Sequence, residues 1–524
     1  MAIDTEAPEA PERRPGELNL RELLRWSWRQ LTSMRTALIL LLLLALAAIP
    51  GSVIPQEGVD SLKASRWQDD HPKLTPIYER LGLFDVFDSV WFSAIYILLM
   101  VSLVGCILPR SLVYWRALRA APPAAPRNLS RLPDHTTYTT EAPADEALAA
   151  VTAVLKQRRY RTLTGEDSVG AERGYLREAG NLLFHVSVLV VLVGFAIGSL
   201  FGYKGGVAII EGGGFTNTLN QYDDFEPGSL FAADDMEPFS FKVEKFDAEW
   251  IKEGSSAGMA RKFVADLSYR EDPAAETDDY ALKVNHPLTI GGTDVFLVGH
   301  GYAPVITVRD GNGEVAYSGP TIFLPEDQSF RSFGVIKAAD AQPTPIGLEG
   351  WFYPTYAFTE ETGPFSAFGD DLNPAISMLV YTGDLGMDDG DGQSVYELDK
   401  SKAELVKKPD GSMLRVDLAV GDTVELPNGA GTVSFDGYER WTKIQISRTP
   451  GKWVALAGVS LALLGLLGSL FIRPRRVWAR VRREDGVDGG VTVVEVAGLD
   501  RSGGGDVAEE LREIVAAASR KESP

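Results

Sequence analysis

One histidine lies inside a long apolar stretch, where ionisable side chains are rare. His185 belongs to the span 181–200 and is the only Asp, Glu, Lys, Arg or His in any of four membrane-length apolar stretches. A charged side chain in hydrocarbon costs roughly 2.5 kcal/mol or more, so such residues usually serve a ligand or a proton path. Neutral imidazole ligates metals, including haem iron. Two structural readings stay open: a hydrogen bond to a neighbouring helix, or a side chain that reaches the nearby interface.

The other residues that could carry chemistry exclude several functions. Cys106 is the only cysteine, so the chain has no intramolecular disulfide, no CxxC thiol-redox pair and no CxxCH haem-attachment motif. The acidic run GDLGMDDGDG at 383–392 lacks the spacing and the final Glu of an EF-hand loop, and we interpret it as an acidic turn. Its carboxylates are Asp384, Asp388, Asp389 and Asp391.

Four apolar stretches without Asp, Glu, Lys or Arg are each long enough to cross about 30 Å of hydrocarbon as a helix. Arginine clusters precede the first and follow the second and the fourth, so we predict that this side and both termini are cytoplasmic. Pro50 and Gly51 are predicted to end the first span, which is a retained anchor rather than a cleaved signal peptide. The predicted segments are a cytoplasmic N-terminus with an interfacial helix (1–35), the first span (36–53), a short extracytoplasmic loop (54–88), the second span (89–108), a small cytoplasmic α+β unit (109–180), the third span (181–200), an extracytoplasmic domain (201–452), the fourth span (453–472) and a cytoplasmic basic stretch and tail (473–524).

The long segment between the third and fourth spans carries the acidic excess behind the net charge of −21. An acidic domain argues against nucleic-acid binding, which requires basic surfaces. Its short β-type runs, punctuated by Gly, Pro, Asn and Asp, predict sandwich or barrel-like sheets. The predicted fold class is therefore an integral membrane α-helical protein of four spans with a large, extracytoplasmic β-rich domain and a small cytoplasmic α+β unit.

Two cytoplasmic pieces far apart in sequence are predicted to form one layer. Residues 133–180 indicate a strand, a helix from about Pro143 to Arg159, and two further β-type stretches. After the fourth span, 491–497 alternates as a strand does and 506–518 is amphipathic. We predict a shared βαββ-plus-βα layer.

Small residues predict how the last two spans pack. Ser187, Gly194 and Gly198 share one face of the third span, roughly opposite His185. The fourth span has a similar stripe, made of Gly458, Ala462, Gly465 and Ser469. We predict that the stripes pack antiparallel, which leaves His185 facing another helix, a partner or a ligand. The alternative is that Gly and Ser are simply common in membrane helices.

Motifs spread along the chain resemble the ResB family of cytochrome c biogenesis proteins. They keep that family's order of four spans, and no one of them is specific alone. The motifs are GSVIPQ at 51–56, GLFD at 82–85, SVWF at 89–92, SLVGC at 102–106, PR at 109–110, GNLLFH at 180–185, VNHPL at 284–288 and PGKW at 450–453.

The resemblance implies a non-autonomous subunit of the System II holocytochrome c synthase (haem lyase) of the bacterial cell membrane. Such a subunit binds and transports haem, and supports its attachment to apocytochrome c. The implied partners are a ResC/CcsA-like protein with a tryptophan-rich WWD motif, which this chain lacks, apocytochrome c, and a thioredoxin-like thiol reductant. His185 corresponds to the family's membrane histidine, a haem axial ligand whose second ligand comes from the partner.

Further residues have weaker claims to the site. Cys106 matches a family cysteine and could contact haem or serve redox control, although a lone thiol is more often a packing residue. His286, in the VNHPL motif, and His300 could meet haem outside the membrane, whereas His71 and His135 are interpreted as solvated. The alternative function is a membrane-anchored sensor or scaffold whose extracytoplasmic β domain binds an envelope protein.

Overall fold

A computed structural model describes residues 19–57, 61–254, 260–387, 395–484, 490–500 and 507–522. Asp388, Asp389 and Asp391 of the acidic run lie outside them. The described helices are α1 (Leu20–Leu31), α2 (Met34–Val53), α3 (Ser61–Asp70), α4 (Thr75–Leu81), α5 (Val90–Arg119), α6 (Ala144–Gln157), α7 (Leu176–Phe201), α8 (Lys452–Phe471) and α9 (Val507–Glu522).

The described strands form antiparallel ladders throughout. They are β1 (Asp134–Thr140), β2 (Arg161–Thr164), β3 (Ser168–Arg173), β4 (Tyr203–Ile210), β5 (Gly214–Thr216), β6 (Asp224–Pro227), β7 (Ser240–Trp250), β8 (Ala260–Arg270), β9 (Asp278–Lys283), β10 (Leu288–Ile290), β11 (Thr293–Asp310), β12 (Val315–Pro320), β13 (Leu324–Pro325), β14 (Ser332–Ala338), β15 (Ile346–Tyr353), β16 (Tyr356–Thr359), β17 (Gly363–Ser366), β18 (Ala375–Asp384), β19 (Lys402–Leu405), β20 (Arg415–Ala419), β21 (Thr423–Leu426), β22 (Gly431–Arg448), β23 (Arg475–Glu484) and β24 (Val491–Asp500). The chain divides into a first unit, 1–193 with 453–524, and a second unit, 194–452.

Four helices, α2, α5, α7 and α8, are long and apolar enough to cross a membrane, which confirms the predicted number of spans. Helix α2 contains Pro50 and ends at Val53, the residue at which the first predicted span ends, and α5 continues past the second predicted span through Pro109 to Arg119. Loss of hydrophobicity marks where a helix leaves hydrocarbon, but arginine is a good helix former, so the helix itself continues.

The small-residue stripes bring the backbones of α7 and α8 into contact, as predicted. A Cβ placed on Gly465 would lie 2.5 Å from the amide nitrogen of Phe184, and one placed on Gly458 would lie 2.9 Å from that of Val191. Ser187 is buried in the same contact. The C-terminal end of the α7 stripe differs from the prediction. Gly198 contacts Thr449, which precedes α8, and not the stripe of α8 itself.

Replacing Gly465 with alanine is expected to destabilise the α7–α8 pair by about 1–3 kcal/mol, since the new methyl group meets backbone that cannot move aside. Gly468→Ala is the matched control, because its Cβ would lie 3.5 Å from Gly180, an ordinary contact. Thermal unfolding of the purified chain in detergent measures both. Equal midpoints for the two variants would contradict this packing.

The short connection between α2 and α5 is organised by one buried amide. Gln56 donates from Nε2 to the carbonyl oxygens of Ile54 (2.9 Å) and Leu83 (3.0 Å), and its Oε1 accepts from the amide of Val86 (2.9 Å). These bonds tie the GSVIPQ motif to the GLFD motif, 27 residues further on. The two motifs therefore form one structural element that joins the ends of the two helices.

The two distant pieces do form one sheet, with strand order β1-β24-β23-β3-β2 and with α6 and α9 packed on one face. The basic stretch was predicted only as a topology signal, yet it contains β23. Several of its arginines are engaged within the sheet: Arg476 pairs with the buried Glu172, and Arg475 with the buried Glu510. The layer is thus βαββ plus ββα, and its cytoplasmic location stays a prediction.

The second unit is β-rich, as predicted. Strands β11 and β22, each 18 residues long, pair along their whole length. One part of this ribbon packs into a core with β4, β7 and β8, and the other into a core with β14, β15 and β18. Strand β4 follows α7 directly and pairs with the end of β22, which precedes α8.

Candidate functional site

Helices α2, α5 and α7 enclose a cleft of about 250 Å³ that is partly open. Most of its wall is aliphatic, and its polar groups come from α5 and α7. It is lined by Met34, Ala37 and Leu38 of α2, by Leu103, Cys106, Ile107, Arg110 and Tyr114 of α5, and by Asn181, Leu182 and His185 of α7. His185 and Cys106, singled out separately in the sequence, therefore line the same cleft. His185 also faces away from α8, as the small-residue stripes predicted.

His185 is held by its own helix. Its Nδ1 lies 2.8 Å from the carbonyl oxygen of Asn181, one turn earlier, and a carbonyl can only accept, so Nδ1 carries the proton. The ring of Phe184 packs against it edge to face, at 5.3 Å between centroids. Nε2 then keeps its lone pair, and among the described residues no hydrogen bond to Nε2 is found. A histidine fixed through Nδ1 with Nε2 free has the arrangement that metal-ligating histidines use.

Cys106 is anchored to the junction between α1 and α2. Its Sγ donates to the carbonyl oxygen of Thr32 at 2.9 Å, and one turn earlier on α5 the hydroxyl of Ser102 donates to that of Leu31 at 2.6 Å. Gly105 permits this approach, because a Cβ there would lie 2.8 Å from that of Thr32. Both side chains thereby hold α5 against the start of α2, which forms one wall of the cleft.

Three polar residues of the cleft, Arg110, Tyr114 and Asn181, were missed as site residues. Arg110 and Tyr114 follow the candidate Cys106 at intervals of four residues and so share its face of α5, a signal that the sequence did offer. Asn181 stands one turn before His185 on α7. The sequence singled out Arg110 by the arginine cluster after the second span and by the PR motif at 109–110, but not as a site residue.

The remaining sequence candidates lie elsewhere. His286 is exposed in the turn between β9 and β10, and His71 and His135 are exposed as expected. His300 is only 7% exposed and is surrounded by Phe246, Phe263 and Phe330, the last stacked at 4.4 Å. Burial, together with a smaller effect of the nearby positive charge of Arg440, lowers the pKa of His300 to about 3. His300 is thus neutral and buried, and any haem contact of His286 or His300 stays a prediction.

The donor set limits the metals that the cleft can hold. Among the described residues no group of three or more His, Cys, Asp or Glu side chains could bind a metal ion. One imidazole in an apolar wall suits a metal that brings its other ligands with it, as haem iron does with its porphyrin. Fold and cleft together define a class: chains with four helices long and apolar enough to cross a membrane and with one histidine in the wall of an apolar cleft between them.

The chain belongs to the ResB-like family, whose profile matches residues 34–512. Among curated relatives, the "Cytochrome c biogenesis protein CcsB" of Synechococcus sp. (strain WH7803) is 30% identical over 65% of this chain and 74% of its own. The protein of the same name from Synechococcus sp. (strain JA-3-3Ab) is 26% identical over 86% and 82%. The protein of the same name from Thermosynechococcus vestitus (strain NIES-2133 / IAM M-273 / BP-1) is 27% identical over 52% of this chain and 60% of its own length, so this match spans less than two thirds of that relative.

Proposed function

We propose that this chain acts in cytochrome c biogenesis as a subunit that holds haem in the membrane and supports its attachment to apocytochrome c. The observation that carries the proposal is the free Nε2 of His185 in an apolar cleft, with Nδ1 bound to the Asn181 carbonyl. Membership in the ResB-like family and similarity to proteins named for cytochrome c biogenesis support the same role. Haem is the cargo here, not a resident cofactor.

Each part of the cleft has a task in this proposal. The Asn181 carbonyl holds the His185 ring in the tautomer that offers Nε2 to iron, and the aliphatic wall excludes water from the ligand. Cys106 also lines the cleft, and its thiol donates a hydrogen bond to the carbonyl oxygen of Thr32. Because one side of the cleft is open, a ResC/CcsA-like partner can supply the second axial ligand there. Attachment joins haem vinyl groups to thiols of the apocytochrome, and positioning is the chain's contribution.

Deletion of the chain tests this role in cells. Haem-stained c-type cytochromes are expected to disappear on deletion and to return when the wild-type chain is supplied. Unchanged cytochromes after deletion would instead favour a membrane-anchored sensor or scaffold.

We also propose that the arginine-rich helix ends and the α6–α9 layer are cytoplasmic, and that the second unit is extracytoplasmic. With Cys106→Ser as background, Asn312→Cys and Glu141→Cys each introduce one thiol, at exposed positions of the second and first units. A membrane-impermeant maleimide is expected to label Asn312→Cys in intact cells, and Glu141→Cys only after permeabilisation. The reverse pattern would overturn the orientation.

A further inference from the structure

The cleft that contains His185 is polar at one end. Because α5 and α7 run in opposite directions along it, the end of α5 and the start of α7 meet at the same end. Arg110 and Tyr114 lie one and two turns beyond Cys106 on α5, and Asn181 lies one turn before His185 on α7. The polar residues are therefore about 6 Å or more along the helix axes from Cys106 and His185.

Arg110 is the cation of this lining, and its own partner is a weak one. Its Nη2 donates to the thioether of Met34 at 3.2 Å, and sulfur of this kind is a poor acceptor. Among the described residues no carboxylate lies within ion-pair distance of Arg110, whereas Arg475 and Arg476 are each paired with a buried glutamate. Glu178, in the first turn of α7, interacts with Tyr114 rather than forming an ion pair with Arg110, so the guanidinium of Arg110 can accept an acidic group that enters the cleft.

We propose that Arg110 binds a propionate carboxylate of haem and so fixes which way the ligand enters the cleft. This inference rests on the proposed function, because it takes His185 as the iron ligand. Haem has an apolar ring and two carboxylates on one edge, and the cleft has an aliphatic wall and one cation at its end. Arginine presents a rigid fork of donors that matches a carboxylate in a bidentate pair. The propionate edge then lies toward the end where α5 finishes and α7 begins.

A topology role alone predicts something different. Arginines near a helix end orient a membrane protein whatever the cleft contains. If Arg110 did only this, it would not distinguish a ligand with carboxylates from the same ligand without them. The two roles therefore separate in binding measurements with haem and with its dimethyl ester, in which both propionates are blocked.

The test uses the full-length chain with its partner in nanodiscs and titrates ferric haem and haem dimethyl ester. Wild-type protein is expected to bind haem at least about tenfold more tightly than the ester, the value of a hydrogen-bonded charge pair. Arg110→Gln is expected to weaken haem binding by the same factor and to leave both the ester affinity and the Soret position unchanged. Arg116→Gln is the matched control, on the same helix but outside the cleft.

Several outcomes would overturn the inference. Equal affinity of the wild type for haem and for the ester would do so without any variant, and so would Arg110→Gln weakening both ligands alike. Arg110→Lys keeps the charge without the fork and is expected to recover part of the preference for haem. His185→Ala separates this inference from the proposed function, because it is expected to weaken both ligands. If it weakens neither, the iron ligand is wrong, whatever Arg110 does.

Discussion

Replacing His185 with alanine is expected to reduce the amount of c-type cytochromes in cells by at least about 10–100-fold. Mutation of a residue that only supports a metal ligand already lowers metal affinity or activity by this factor. His185 supplies the one imidazole of the cleft, and its Nε2 is the nitrogen left for iron. Haem staining of membrane proteins from cells that carry only the variant measures the effect.

His135→Ala is the matched control, because His135 is exposed on β1. This variant is expected to leave the haem stain unchanged. Immunoblotting must show that both variants accumulate in the membrane to the same level. Normal staining in the His185 variant would mean that the histidine is structural.

Acidification is expected to destabilise the second unit through His300. Its pKa is lowered from about 6.5 to about 3, so between these values the unfolded chain binds a proton that the folded chain does not. The stability of the folded second unit is therefore unaffected by His300 above pH 6.5, and it decreases as the pH falls from 6.5 toward 3. At pH 5 the loss is about 2 kcal/mol, since each pH unit below 6.5 costs about 1.4 kcal/mol.

Hydrogen exchange of β11 peptides in the full-length chain, corrected for intrinsic rates, measures this between pH 7 and pH 5. His300→Phe removes the titrating group, and with it the unsatisfied Nε2, while keeping an aromatic ring beside Phe330. This variant is expected to lose the pH dependence, whereas His286→Phe, at an exposed site, is expected to retain it. A wild-type opening free energy that does not change between pH 5 and 7 would show that His300 is not held neutral by burial.

The sequence was most informative where one local property decides the structure. Length and hydrophobicity alone identify the four membrane helices, and the small-residue stripes identified the α7–α8 contact. Strand β23 was missed because its five arginines concealed its buried residues: Val477, Ala479 and Val481 pack in the core with α6 and α9, and Trp478 is buried on the opposite face.

Contacts between distant segments could not be predicted. The cleft needs α2, α5 and α7 together, and only their packing places Arg110 and Met34 in the same cleft as His185. His185 was identified because placing an ionisable side chain in hydrocarbon costs free energy. Its tautomer, however, depends on a hydrogen bond to the Asn181 carbonyl oxygen, which the residue types alone do not predict. Strand β4 likewise pairs with β22 from the far end of the second unit.

The most direct test of the central claim is the visible spectrum of the chain purified with its ResC/CcsA-like partner. The wild-type complex is expected to show a Soret band, and His185→Ala is expected to lose it and to regain part of it when free imidazole is added in place of the missing ring. A Soret band of full intensity and unchanged position in His185→Ala would contradict haem ligation by this residue.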